Sequence, residues 1–439
     1  MPIMLIALVN MGMSVTDTVM VSALFGTEAL ASVAVGSDLY SIFFYLCAGI
    51  LGGITPFYTA AVTRADPHER ARLERTGWAI VALLAAVSAP MVWFAPDWLD
   101  LFGIRPDLLD QGRGYTRAMA MTLVPMLGVI LYRTVLTAAE KPKTFLKVTL
   151  AMLPLNAAAN YVFMTGAGPL PAAGPVGAGL SSLLVATATL AVLVVIARRV
   201  SPDPGGRPEA AAPDWGKVAA VLRIGLPIGI ATVTEVGIFL AATLYAARLG
   251  TADVAAHTLA LRTAGVAYAV PTALLQASMV RMARANSLGK GDAGSAGAAV
   301  VTASLALSFI FGATVFLLVA GAAGPLADRF FDDSASGIAA AGITLNLLIL
   351  LGVMEFIINP GLAAAGLLRG RKDTRAPMVY VLVGYWAVSA PLGLYLCEVR
   401  DGGIMGIWIG LAAGTLLTTF LTLARLANVR LPGIAPARR

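Results

Sequence analysis

Twelve stretches of this chain are apolar for 20 residues or more, roughly 3-25, 33-62, 77-101, 116-138, 144-165, 175-197, 218-248, 254-283, 297-320, 337-367, 377-397 and 403-427. An α-helix rising 1.5 Å per residue needs about 20 apolar residues to cross a bilayer core of about 30 Å, so each run is long enough to span a membrane. With 58% hydrophobic and 13% charged residues in 439, and a mean hydropathy of +0.82, the chain lacks the polar surface that a soluble domain of this size requires. The expected fold class is an all-α polytopic membrane protein with twelve transmembrane helices. No enzyme activity, catalytic residue or cofactor is expected.

Charge orders these spans. Arginines and lysines cluster after spans 2, 4, 6, 8 and 10 and at the carboxyl end, for example Arg64, Arg70, Arg72 and Arg75, then Arg369, Arg371, Lys372 and Arg375. The intervening loops are poor in them. Cytoplasmic loops retain positive charge, so even-numbered spans end in the cytoplasm and both termini lie there. The formal charge of +7 therefore orients a membrane protein and does not indicate nucleic acid. The first apolar segment runs straight into Asp17 without a convincing cleavage site, so no signal peptide is expected. Cys47 and Cys397 fall in or beside different spans and read as ordinary thiols.

A proline- and glycine-rich stretch, 201-SPDPGGRPEAAAPDWGK-217, sits at the midpoint and reads as a cytoplasmic linker. It divides the chain into an amino-terminal lobe of six spans over 1-200 and a carboxyl-terminal lobe over 218-439. The halves echo one another: 26-GTEALASVAVG-36 after span 1 resembles 250-GTADVAAHTLA-260 after span 7, an offset of 224 residues. Six spans per half preserve direction, so the repeats are expected to be related by an axis along the membrane normal. Two such bundles suit an alternating-access transporter, although a duplication with a purely structural role has the same sequence signature.

Carboxylates at membrane depth narrow the reading, because each costs roughly 2.5 to 3.5 kcal/mol at a span centre. Asp17, in 10-NMGMSVTDTVMVSAL-24, has no basic residue on its own stretch. Such a group is stable when protonated or when ionised beside a bound cation. Span 5 carries Asn156 and Asn160 four residues apart, hence on one helical face, with Pro154 before them to loosen a backbone carbonyl. Their amide oxygens suit Na⁺ and can equally hold a carboxyl group by hydrogen bonds. Nothing in the sequence places spans 1 and 5 side by side.

Glu235 in span 7 faces the same choice between proton and partner, or meets a cationic substrate. Glu355 in span 10 precedes Pro360 and Gly361, which suggest a broken or kinked helix. Asp38 opens span 2 near the outer surface and reads as a structural or vestibular charge. Tyr132 and Tyr268 are the aromatics offered for stacking on a flat organic cation. His68 and His257 have no chelating geometry.

At these residues the chain resembles the multidrug and toxic compound extrusion (MATE) family. The resemblance rests on 12-GMSVTDTVMVSALFGTEALASVAVG-36, 50-ILGGITPF-57, 153-LPLNAAANYVFMTG-166, 226-LPIGIATVTEVGIF-239, 253-DVAAHTLAL-261 and 366-GLLRGRKDTRAP-377, and covers essentially the whole chain. It implies an antiporter of two six-helix lobes in a V shape that exports amphiphilic or cationic organic compounds while H⁺ or Na⁺ runs inward. It also implies a cation-coupling site at Asp17, Asn156 and Asn160, where Na⁺ is the candidate metal, and matches Glu235 to a span-7 glutamate of the Na⁺-linked branch. One branch of the family carries an aspartate where Asn160 stands. In span 10, Ile358 and Gly361 occupy places where the Na⁺-linked branch has an aspartate and a glutamine. This leaves Glu355, one turn earlier, as the acid available to a second site with Glu235.

The implied partners are small organic cations or amphiphiles and membrane lipid, with no nucleic acid, and the implied state is a monomer in a bacterial inner membrane. A flippase for lipid-linked saccharides, of the same fold superfamily, is the alternative. It calls for a more basic cleft, whereas Arg133 and Arg262 are the clear mid-helix arginines in this sequence.

Overall fold

A computed structural model describes residues 2–100, 106–166, 171–200, 213–246, 248–288, 292–331 and 335–428. Among these, twelve helices are long and apolar enough to cross a membrane. Spans 1 to 6 are Leu5–Gly26, Ser32–Thr63, Pro67–Trp93, Leu109–Ala138, Pro142–Thr165 and Val176–Arg199. Spans 7 to 12 are Trp215–Ala246, Ala252–Ala285, Gly294–Phe330, Gly337–Gly370, Arg375–Val399 and Gly403–Asn428. The chain is thus an all-α, multi-pass membrane protein, with every expected span in place.

Local chemistry explains where several helices begin and bend. Spans 1 and 2 are separated by Gly26, whose φ of 79° lies in the left-handed region that a residue without Cβ enters at little cost. Span 3 starts ten residues before the expected position. The charged run 67-PHERARLERT-76 hides it from hydropathy, but Asp66 caps the helix by accepting the Glu69 N–H at 2.9 Å, and Pro67 takes the first turn, where its missing N–H costs nothing. Of the broken or kinked helix expected at Pro360, the break does not occur: one helix runs through Ala335–Gly370 with the proline inside it. Thr419 of span 12 donates its hydroxyl to the Ile357 carbonyl at 3.3 Å, tying span 12 to span 10 about one turn before the proline. Span 11 instead carries the irregularity, as π-helical turns over Val383–Ser389 and Tyr395–Val399 on either side of Pro391.

The chain forms two compact units, Met1–Gly229 and Ile230–Arg439, so the division falls within span 7. Residues 201–212 of the expected linker lie outside the described residues. In the first unit, Leu51, Ile54, Ile80, Leu127, Leu131 and Val221 pack into a core with almost no exposure. The first half of span 7 reaches this core because glycines let two backbones meet. A Cβ on Gly49 would lie 2.6 Å from Gly229 Cα, and one on Gly53 2.7 Å from Gly225 Cα. At the same end, Lys217 Nζ pairs with Glu69 at 2.5 Å.

The second unit has its own core around Trp408, which is fully buried with Leu347, Leu348 and Ala323. Trp408 Nε1 donates to His257 Nδ1 at 3.1 Å, and His257 Nε2 lies 3.0 Å from the Thr243 hydroxyl. An indole nitrogen only donates, so Nδ1 accepts and Nε2 carries the imidazole proton, which goes to Thr243 Oγ1. Thr243 donates its own hydroxyl proton to the Phe239 carbonyl at 3.0 Å. The chain of bonds uses His257 as a structural link between spans 7, 8 and 12.

The glycine contact makes a sharp expectation. A Cβ on Gly225 would overlap the Ile50 carbonyl oxygen, whereas nothing lies within 4 Å of one on Gly52. Gly225→Leu should destabilise the detergent-solubilised protein by several kcal/mol, at or beyond the upper end of the roughly 1–3 kcal/mol typical of overpacking, while Gly52→Ala should be nearly neutral; thermal unfolding compares them.

Candidate functional site

Span 5 places Asn156 and Asn160 one turn apart, and the fold brings that face onto Asp17 of span 1. Asn156 Nδ2 donates to Asp17 Oδ1 at 3.1 Å and Asn160 Nδ2 donates to the same oxygen at 2.5 Å. Asn156 and Asn160 are 2% and 0% exposed, and their own Oδ1 atoms are buried without a hydrogen-bond partner among the described residues. Ser181 of span 6 donates to the Asn156 backbone carbonyl at 3.2 Å, fixing the turn that carries the amide. Ser181 is a contributor that the pattern of acids and amides does not reveal. Buried amide oxygens without donors are costly, so this cluster holds unused acceptor capacity beside a carboxylate.

The second unit gathers a different set. Glu235 Oε1 accepts from Tyr268 at 2.6 Å and, at 3.5 Å, from Tyr385, whose own hydroxyl is approached by Thr415 at 3.5 Å. Glu235 lines a cavity of about 40 Å³, room for a water or two, with Arg369 of span 10 and Tyr385 of span 11. Span 12 contributes Thr415, Thr418, Thr419 and Thr422 to the same wall. Their i, i+3, i+4, i+7 spacing is visible in 415-TLLTTFLT-422, a polar stripe on an otherwise apolar helix that a search for carboxylates misses.

Ile358 and Gly361 also line the cavity, so span 10 presents an apolar side chain and bare backbone there. The charged group sharing the space with Glu235 is Arg369, which lies within electrostatic reach of it. Glu355 does not line this cavity. It is 4% exposed, its Oε2 has no partner among the described residues, and its backbone carbonyl accepts from Asn359 Nδ2 at 2.7 Å.

The remaining candidates separate. Tyr132 is 7% exposed and packs edge-on to Trp78, whose Nε1 donates to its hydroxyl at 3.3 Å, so its ring belongs to the first unit's core. Tyr268 spends its hydroxyl on Glu235. Asp38 is exposed on span 2. Among the described residues no group of three or more histidine, cysteine or acidic side chains has metal-binding proximity.

Comparison with known proteins agrees with this architecture. The MatE family pattern matches residues 2–162 and 227–395. A probable multidrug resistance protein NorM of Rhizobium meliloti is 30% identical over 427 residues, covering 93% of this chain and 87% of its own length. A protein of the same description from Bradyrhizobium diazoefficiens is 31% identical, covering 97% and 91%. Among solved structures, the eukaryotic MATE transporter AtDTX14 superposes with a TM-score of 0.85 at 16% identity, over 98% of this chain and 94% of that one. The Vibrio cholerae MATE transporter VcmN, in its bent form, gives 0.81 at 15% identity over 97% and 94%. These two likenesses concern the fold.

The two bonds to Glu235 differ in length and should differ in worth. Tyr268→Phe removes a short bond to a carboxyl group and should cost about 1.5–3 kcal/mol, whereas Tyr385→Phe removes a long one and should cost less than about 1 kcal/mol. Thermal unfolding in detergent should rank them in that order.

Proposed function

The chain belongs to the MatE family, and from that premise we propose that it exports amphiphilic or cationic organic compounds in exchange for inward H⁺ or Na⁺. Its general character is that of a MATE-type secondary transporter, a multi-pass membrane protein and not an enzyme. The proposed setting, in line with its bacterial relatives, is the inner membrane, with both termini cytoplasmic and a monomer as the working unit. The NorM relatives carry the description multidrug resistance, which favours export of foreign compounds as the proposed cargo.

The observation that carries the coupling reading is the convergence of Asn156 and Asn160 on one oxygen of Asp17, with both amide oxygens buried and without a hydrogen-bond partner among the described residues. In the ionised state the two N–H groups stabilise the carboxylate. Protonation turns one carboxyl oxygen into a donor, and a half-turn of either amide offers it an acceptor. A Na⁺ ion would draw on the same rotation, with the carboxylate and amide oxygens as hard ligands. The cluster therefore has two well-bonded states, with and without an ion, and cargo binding need only favour one of them to be linked to the ion.

The membrane potential supplies the direction. One elementary charge moving inward across about 100 mV contributes about 2.3 kcal/mol, or roughly fiftyfold in an equilibrium. One ion per cycle is enough to drive useful expulsion.

In energised everted vesicles, wild type should accumulate a fluorescent organic cation, and Asp17→Asn should reduce that accumulation to near the level of vesicles lacking the protein. Asn156→Ala and Asn160→Ala should each weaken it, the latter more because its bond is the shorter. Coupled uptake retained by Asp17→Asn would remove Asp17 from the mechanism.

A further inference from the structure

We propose that the cavity of the second unit holds a short chain of water running from Arg369 to Glu235, and that Arg369, standing at its mouth, admits water to Glu235 while turning metal cations back from that end. The cavity is drawn out along the helices. Thr419 bonds to Ile357 and Arg425 to Asp373, so spans 10 and 12 run side by side in one direction. Glu235, Tyr385 and Thr415 stand together at one end of the cavity; Arg369, eleven residues beyond Ile358 on span 10, lies at the other, past Thr422. From Thr415 to Thr422 the wall extends about 10 Å. Two waters joined to both ends by three hydrogen bonds of about 2.8 Å cover about 8.5 Å, and two is the number for which the cavity has room.

The donors and acceptors of the wall decide what fills it. Thr418, Thr419 and Thr422 commit their hydroxyl protons to the carbonyls of Tyr380, Ile357 and Thr418, at 3.1, 3.3 and 2.7 Å, so their oxygens retain only acceptor capacity. Both hydrogen bonds to Glu235 fall on Oε1, which leaves Oε2 to accept from the cavity. Arg369 Nε is a buried donor without a hydrogen-bond partner among the described residues, and a guanidinium never accepts. A molecule that joins this donor to those acceptors must itself both accept and donate, as water does. A halide only accepts, and a metal ion only takes lone pairs.

Charge then sets what passes. Arg369 keeps partial exposure in the last turn of span 10, so the guanidinium stands where the chain of water meets the end of the span. Asp373, the acid nearest to it in sequence, is engaged by Arg425 at 3.0 Å. A fixed guanidinium beside a narrow file of water is a barrier to cations and none to water. The barrier has something to guard: Glu235 lies within electrostatic reach of Arg369, and Glu355 within reach of Glu235, so two acids stand at the far end. On the proposed orientation Arg369 is at the cytoplasmic end, where an exporter meets the cell's own cations.

The test places a thiol on the cavity wall, Thr419→Cys in a Cys47→Ala, Cys397→Ala background, and compares two probes close to water in size: hydrogen peroxide, which is neutral, and Ag⁺. Modification is followed by mass spectrometry of the purified protein in detergent, where neither orientation nor transport enters the outcome. With Arg369 present, peroxide should oxidise the thiol and Ag⁺ should react slowly. Arg369→Gln should raise the Ag⁺ rate about tenfold and leave the peroxide rate within about threefold, whereas Arg369→Lys, which keeps the charge, should leave both rates within about threefold. If Arg369→Gln does not assemble, Arg369→Met takes its place, and Thr415→Cys does so for Thr419→Cys. An Ag⁺ rate unmoved by loss of the charge would overturn the barrier. A thiol that peroxide reaches only after unfolding would overturn the chain of water. Neither result bears on export, which the vesicle assay decides.

Discussion

A carboxylate inside a membrane needs a partner, and the first unit is organised around how Asp17 obtains one. No basic residue shares its helix, and the side chain is served by two amide groups from span 5. Neutral donors stabilise the anion without neutralising it. A guanidinium in their place would form a fixed pair and leave no vacancy for a mobile ion. In the proposed mechanism the amides hold the charge loosely enough for an ion to complete the site, drawing on their buried oxygens, which have no hydrogen-bond partner among the described residues.

The second unit follows the other course. Glu235 receives tyrosine hydroxyls and shares its cavity with Arg369, a charge the protein supplies itself. Span 10 adds Ile358 and Gly361 to that wall in place of further carboxyl or amide groups. In the proposed mechanism the chemistry of exchange is therefore assigned to Asp17, and the cavity with Glu235 is better suited to hold water and a settled polar network.

Much of this was legible in the sequence because membrane physics writes in one dimension. Twelve apolar runs gave twelve helices, and the i, i+4 spacing of Asn156 and Asn160 implied a shared face. Where charge overrides hydropathy the reading was short, as at 67-PHERARLERT-76, whose cap and proline carried the signal that apolarity did not. Pro360 was a poor guide to a break, since one helix continues through it from Ala335 to Gly370. Tertiary partners were the least visible. The meeting of spans 1 and 5, the bond from Tyr268 to Glu235 and the Trp408–His257–Thr243 chain each join residues whose sequence positions carry no mark of one another. Tyr268 was conspicuous as an aromatic for stacking, yet its hydroxyl is what the fold uses.

The central claim is that cargo and ion compete through the state of Asp17. It is tested most directly by mixing purified protein with an organic cation in weakly buffered detergent solution, with proton release and Na⁺ release read separately. The account predicts release of one of the two ions on cargo binding by wild type, and no release by Asp17→Asn even where that variant still binds cargo. Equal release by wild type and Asp17→Asn would contradict it.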